Sequence, residues 1–239
     1  MLQEKKSGYA MTSKTSSADR IRQKKKLFLR REQKIIKAAL DLLLATSIDG
    51  VTVSKIANGA GIGKGTVYKH FMTKNEILVR IILDYERNIS SCLAAGIKKA
   101  ENGDAGAAAK SYFEARLARP DLDRLVQQLE DRLLEDASIA DQINDLHGIR
   151  RSNETSLSQM LTKQIGAGVL EDVPPHFHYL ACWALAQGAV DLWFNKSWNY
   201  RHDTAGLMEF ITNIGVTMGN MGQYRPGPDT KAKLKKNTL

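Results

Sequence analysis

Residues 52–78 read TVSKIANGAGIGKGTVYKHFMTKNEIL, and they gather the side chains best suited to chemistry on a partner. Lys64, Lys69 and Lys74 are cations set five residues apart, with Thr66, Tyr68 and His70 among them. Cations and hydroxyls of this kind bind phosphate oxygens, while lysine and threonine also reach base edges in a major groove. Gly65 has no side chain, so backbone there can approach another surface closely. Thr52, Ser54 and Lys55 precede this group and are placed to grip a phosphate backbone from the opposite flank. The chemistry is that of contact with double-stranded DNA. Phosphate contacts set register while few contacts read sequence, so one to three of Lys64, Gly65, Thr66 and Tyr68 are expected to touch bases.

Other chemistries fit poorly. Gly59 to Thr66 looks like a phosphate loop, but a Walker loop needs glycine where Asn58 stands and a hydroxyl residue where Gly65 stands. A dinucleotide fingerprint fails too, because its third glycine falls on Lys64 or Thr66 depending on the start. His178 and Cys182 share a helix face but His176 does not, so no metal site is expected. There is neither a nucleophile elbow nor an HExxH, and the acidic residues are scattered. No cofactor and no enzymatic activity are expected. Cys92 and Cys182 lack a cluster of cationic neighbours that would activate a thiol.

Positioning these residues takes helices. Ile35, Ile36, Ala39, Leu40, Leu43 and Leu44 recur at helical spacing, and Asp49-Gly50 ends that helix. Thr52 is the N-cap of a short second helix whose apolar side is Val53, Ile56 and Ala57. Gly59, Gly61 and Gly63 break it, with Ile62 as the plug of the turn. A third helix is expected over Lys64–Phe71, with Val67 and Phe71 inward. Thr73 to Glu76 forms a capping box, and Met72 with Ile77 a hydrophobic staple, at the start of a fourth helix running to about Lys99. Further helices are expected over 105–118, from Pro120 to about Glu135, from Ser138 to about Ile165, from Pro174-Pro175 to about Trp198, and from Asp203 to about Met221. Strand-like alternation is nearly absent, so the fold class is all-α.

Charge divides the chain the same way. Residues 1–80 hold 17 Lys and Arg against 6 Asp and Glu, whereas residues 81–222 hold 13 against 19. A basic end on an acidic body implies a polyanion site at that end. The expected organisation is a disordered basic arm over 1–26, a DNA-binding domain over 27–90 with its helix-turn-helix at about 52–71, a second domain over 91–222, and a basic tail over 223–239. The uncharged run Val173 to Val190 contains two prolines, two histidines and Gln187, so it reads as a buried helix and not a membrane span. No secretory signal is legible, and a reducing, cytoplasmic setting is expected, nucleoid-associated when DNA is bound.

The run from about Arg31 to Ser91 resembles the DNA-binding domain of the tetracycline-repressor (TetR/AcrR) family. The resemblance rests on Ile56-Ala57, Ala60-Gly61-Ile62, Lys64 to Tyr68, His70-Phe71 and Lys74 to Leu78. Many relatives have serine where this chain has Gly63, and an acidic residue where it has Lys55. The resemblance implies a nine- or ten-helix homodimer, a C-terminal ligand-binding domain, and repression relieved by a small molecule at a palindromic operator. The dimer interface is expected on the last two helices, through Ala184, Gly188 and Leu192 on one and Ile211, Ile214, Gly215 and Met218 on the other. Tyr112, Phe113, Arg116, His147, Trp183, Gln187 and Trp193 are candidate pocket residues, with Leu133 and Ile143 beside them, for an apolar or aromatic effector. The competing readings are a low-specificity, architectural nucleic-acid protein and a helical small-molecule enzyme.

Overall fold

A computed structural model describes residues 17–199 and 203–218. Ten α-helices occupy them: α1 (Ser17–Ala45), α2 (Val53–Ala60), α3 (Lys64–Val67), α4 (Lys74–Glu101), α5 (Ala107–Leu117), α6 (Pro120–Leu133), α7 (Ala140–Gly166), α8 (Pro175–Phe194), α9 (Lys196–Asn199) and α10 (Thr204–Met218). Short 3₁₀ turns precede α2 and α7. No strand occurs among the described residues. Residues 1–16 and 219–239, which include most of the expected arm and the whole expected tail, lie outside the described part.

The first three helices form a small bundle closed by the start of α4. Ile35, Ala39, Ile56, Val67, Ile77 and Ile82 are almost fully buried at its centre. Thr52 caps α2 by accepting the Lys55 N–H, and Gly61 ends it in the left-handed region at φ 66°. That left-handed cap turns the chain, and Ile62 then packs on the core. Thr73 caps α4 by accepting the Glu76 N–H. The Glu76 carboxylate takes the Met72 N–H at 2.7 Å, one residue earlier than a standard capping box.

Four expectations are corrected. Residues 17–26 are helical and extend α1, since nothing between Ser17 and Ala45 breaks a helix. Met72 is exposed and makes no staple with the buried Ile77. The third helix is α-helical only to Val67, and residues 68–70 continue as tight turns. The helix expected to reach Trp198 breaks at Asn195, giving α8 and the four-residue α9.

α4 continues without a break beyond this bundle, where α5, α6 and α7 surround it. Its closest neighbour is α5. A Cβ added at Gly96 would meet the Ala107 carbonyl oxygen at 2.7 Å and the Ala108 Cα at 2.9 Å. Leu93, Ala108, Met160 and Leu161 form a second apolar cluster there. Ala189, Met208 and Ile211 form a third between α8 and α10.

Because backbone stands against Gly96, Gly96→Ala overpacks the α4–α5 crossing. It is expected to cost about 1–3 kcal/mol. Thermal unfolding should show a midpoint lower by roughly 2–4 °C for each kcal/mol of destabilisation. An unchanged midpoint would mean that these helices do not approach so closely.

Candidate nucleic-acid interface

The sequence around α3 dictates an open, cationic face. Val67 and Phe71 are buried and anchor the segment, which leaves Lys64, Gly65, Tyr68 and Lys69 exposed and Thr66 half-buried. The Lys64 ammonium stands 5.8 Å from the Tyr68 ring centroid, a cation–π spacing that holds both at one end of the face. Nothing lies within 4 Å of a Cβ built on Gly63 or Gly65. The tip of α3 is thus free of bulk, with unpaired N–H groups and the positive dipole end outward. Thr52 and Ser54 are exposed at the start of α2.

Three of the expected contact residues have other engagements. Lys74 donates to the carbonyls of Ile48 at 3.1 Å and Val51 at 3.0 Å, closing the turn before α2. Lys55 donates to the Gly50 carbonyl at 2.7 Å. Both cations reach back to carbonyls of the turn that joins α1 to α2. The His70 side chain is 2% exposed, so it is turned away from any DNA surface. Its ring centroid lies 4.0 Å from that of Phe28, and its Nδ1 lies 3.9 Å from Glu32.

The Phe28–His70 contact brings out a feature that the sequence left open. It turns one face of the α1 extension toward α3, and a cleft lined by Phe28, Arg31, Thr66 and Lys69 runs between them. Arg20 and Lys24 precede Phe28 by eight and four residues, so they share its side of the helix. The cationic row of α3 therefore continues along α1 through Arg31, Lys24 and Arg20, over about 16 Å. Ser17-Ala18-Asp19 as a helix start was the signal available for it.

A cavity of about 500 Å³ lies between α4, α5, α6, α7 and α8. Tyr112, Arg116 and Trp183 line it. Arg116 is buried and pairs with Asp123 through Nε at 2.8 Å and Nη2 at 2.7 Å. Tyr112 and Gln187 accept from Arg116 at 3.1 Å each, and Gln187 donates to Gln127 at 2.7 Å. Tyr85 donates to the same Asp123 carboxylate. Burial foremost, then the Asp123 charge, hold the Tyr85 phenol far above its ordinary range.

Other candidate pocket residues fall elsewhere. Phe113 is fully buried against Gly215, and Trp193 packs in the α8–α10 cluster. Leu133 and Ile143 belong to the first core. His147 is exposed, because the cavity face of α7 is set by Arg150, Asn153, Glu154 and Leu157. Cys182 lines the cavity, and burial pushes its thiol up to about 11, so it stays protonated at neutral pH. Among the described residues no three His, Cys, Asp or Glu side chains are grouped to hold a metal, and no helix is long and apolar enough to cross a membrane.

The expected interface residues on α8 and α10 do not share one environment: Ala184, Gly188 and Ile214 are exposed, with open space about Gly188. Ile211 and Gly215 turn inward, Leu192 is half-buried in the same cluster, and Met218 lines the cavity. Phe177, Leu180, Trp183 and Phe210 add large apolar surface to that outer face.

Residues 35–81 match the family model of bacterial regulatory proteins of the tetR family. The HTH-type transcriptional regulator SrpR of Pseudomonas putida is 40% identical over 50 residues, which are 21% of this chain and 24% of that protein. The match thus spans about a quarter of the relative's length. Over the whole fold, a TetR/AcrR-family regulator of Thermobifida fusca superposes with TM-score 0.62 at 17% identity, covering 82% of this chain and 100% of that one. FadR of Bacillus subtilis, solved in complex with stearoyl-CoA, superposes with TM-score 0.57 at 21% identity, covering 80% and 99%.

Gly65→Ala adds a methyl group to open space, so the unfolding midpoint should stay or rise. Duplex affinity, read by fluorescence anisotropy, should fall about tenfold, or 1.4 kcal/mol. Undiminished affinity would remove Gly65 from the interface. Lys74→Met should behave differently from Lys69→Met. The first is expected to lower stability by about 1–3 kcal/mol, since two carbonyls are deprived of their donor. The second is expected to reduce the slope of log K against log salt by about 0.9 for each phosphate that Lys69 neutralises. A reduced slope in Lys74→Met at unchanged stability would assign its ammonium to DNA.

Proposed function

We propose that this chain, which carries the DNA-binding domain of the TetR family, is a homodimeric transcriptional regulator released from a palindromic operator by a small molecule. The observation behind the DNA reading is the α3 face, where Lys64, Gly65, Tyr68 and Lys69 stand open while Val67 and Phe71 anchor them. A four-residue helix offers few contacts, so a second copy over a second half-site is the usual route to specificity. The apolar surface of Phe177, Leu180, Trp183, Ala184, Phe210 and Ile214 supports a four-helix interface made by α8 and α10 of two copies. The α1 extension adds phosphate contacts beside each half-site.

The effector reading rests on the cavity beneath α4 and on α4 belonging to both domains. A neighbour of the same fold holds stearoyl-CoA, which supports a small-molecule site in such a domain. In the DNA-competent state the two α3 helices stand about 34–36 Å apart, one helical turn of duplex. A ligand preferring another spacing by about 1–3 kcal/mol would weaken operator binding roughly 5- to 150-fold.

Selection of binding sites from random duplex DNA tests this directly. An inverted repeat with half-sites one turn apart, and one dimer per site by sedimentation, is expected. Recovery of no preferred sequence, together with steep salt dependence, would replace this reading by low-specificity binding.

A further inference from the structure

The cavity is apolar over most of its wall, with Leu93, Val126, Leu157, Met160 and Leu161 among its lining residues and the rings of Tyr112, Tyr179 and Trp183 beside them. Its charged lining is unbalanced. Glu86, Asp123, Glu130 and Glu154 face it, against Arg116 and Arg150. Asp123 and Arg116 neutralise each other through two hydrogen bonds, and Tyr85 and Gln127 complete the Asp123 shell. That pair is closed. Arg150 is left to serve two carboxylates. It donates to Glu86 at 3.1 Å from Nε and 3.0 Å from Nη2, and from Nη2 to Glu130 as well. Glu154 lies one turn further along α7, near enough to Tyr179 for its charge to raise that phenol, although loss of hydration is the larger cause. His178, also at the wall, has its Nε2 at 3.1 Å from the Glu171 carbonyl, which only accepts.

The Glu86–Arg150–Glu130–Glu154 end thus holds more negative than positive charge in a place partly removed from water. Glu130 shows the cost: loss of hydration raises its carboxyl above the ordinary range although Arg150 pulls the other way. A carboxylate or phosphate entering here would meet only cations already engaged. Arg116 donates from Nε, Nη1 and Nη2, and Arg150 is shared. A positive group would meet carboxylates in excess and aromatic faces beside them.

We propose that this cavity takes a lipophilic cation, its positive group among Glu86, Glu130 and Glu154 and its apolar body against the α5, α7 and α8 walls. It discriminates against anionic amphiphiles of the same size. The inference deepens the effector reading and rests on it for its regulatory meaning, though not for the binding itself.

Tetraphenylphosphonium and tetraphenylborate test it, since they match in shape and differ in the sign of charge. In calorimetric titrations of the full chain, the phosphonium should bind at least about tenfold tighter, equivalent to 1.4 kcal/mol. In Glu130→Gln, which leaves Glu86 and Arg150 as a one-to-one pair, phosphonium affinity should fall about tenfold while that for the borate holds or rises. Glu154→Gln, at an exposed position, should lower phosphonium affinity in the same direction and guards against a folding defect in the first variant. Equal or tighter binding of the borate, no binding of the phosphonium, or unchanged phosphonium affinity in both variants would overturn the proposal. The same samples are titrated with the selected duplex. Phosphonium binding that leaves duplex affinity unchanged would sustain the ligand class and defeat the release mechanism, so the two fail separately.

Discussion

The structure depends on α4 being a single rod. Its 28 residues reach about 42 Å. Ile77, Leu78, Ile81 and Ile82 are buried in the DNA-binding bundle, while Glu86, Ile89 and Leu93 line the cavity. Each large apolar side chain so buried contributes about 1.5–3 kcal/mol. Neither half of the molecule can shift along α4 without uncovering such surface. The cap at Thr73 fixes where the rod begins, two residues after the buried Phe71 that ends the recognition segment. The orientation of α3 is therefore set by the same helix that forms the cavity wall.

Backbone features were legible because they are local. Thr52 and Thr73 carry their capping role in the residue type and the spacing that follows, and both caps form. Gly61 stands where a left-handed residue is needed, and it takes that conformation. The inward positions Ile56, Val67 and Phe71 follow from helical periodicity alone. The destinations of long side chains were less legible. Lys74 looks like a phosphate ligand by position, yet its nearest acceptors are the carbonyls of Ile48 and Val51, more than twenty residues earlier. His70 packs inside against Phe28, which stands just past the stretch 1–26 that composition alone marks as polar and loose. On α8 and α10 periodicity identifies an apolar stripe but not which side faces the chain's own core. Gly215 turned inward because the Phe113 ring needs its space, and that depends on α5.

The division of charge acts at two scales. Across the chain, basic residues gather at the DNA end, where Lys and Arg at exposed positions release counterions from a duplex. Within the acidic body, the imbalance recurs inside one cavity. Charge in solvent is screened over about 8–10 Å at ordinary salt, whereas charge in the cavity wall is screened much less. The first scale bears on encounter with DNA, and the second on the charge of the ligand proposed for the cavity.

These two properties meet at the α4–α6 contact. Tyr85 on α4 donates to Asp123 on α6, and Arg150 on α7 joins Glu86 on α4 to Glu130 on α6. Two residues past Glu130, at the C-terminal end of α6, Arg132 pairs with Asp49 just before α2, and just past that end Asn75 at the start of α4 donates to Asp136. α6 is thus tied to the cavity along its length, from Asp123 to Glu130, and to the DNA-binding bundle at its C-terminal end. A positive ligand group beside Glu130 competes with Arg150 for the same oxygens. Hydrogen bonds to charged groups are worth about 1.5–3 kcal/mol. That is the same size as the coupling of about 1–3 kcal/mol that separates bound from released states in a typical allosteric protein. Loosening that shared guanidinium would remove one of the links between α4 and α6, while the caps and core that keep α3 in place are made by other residues.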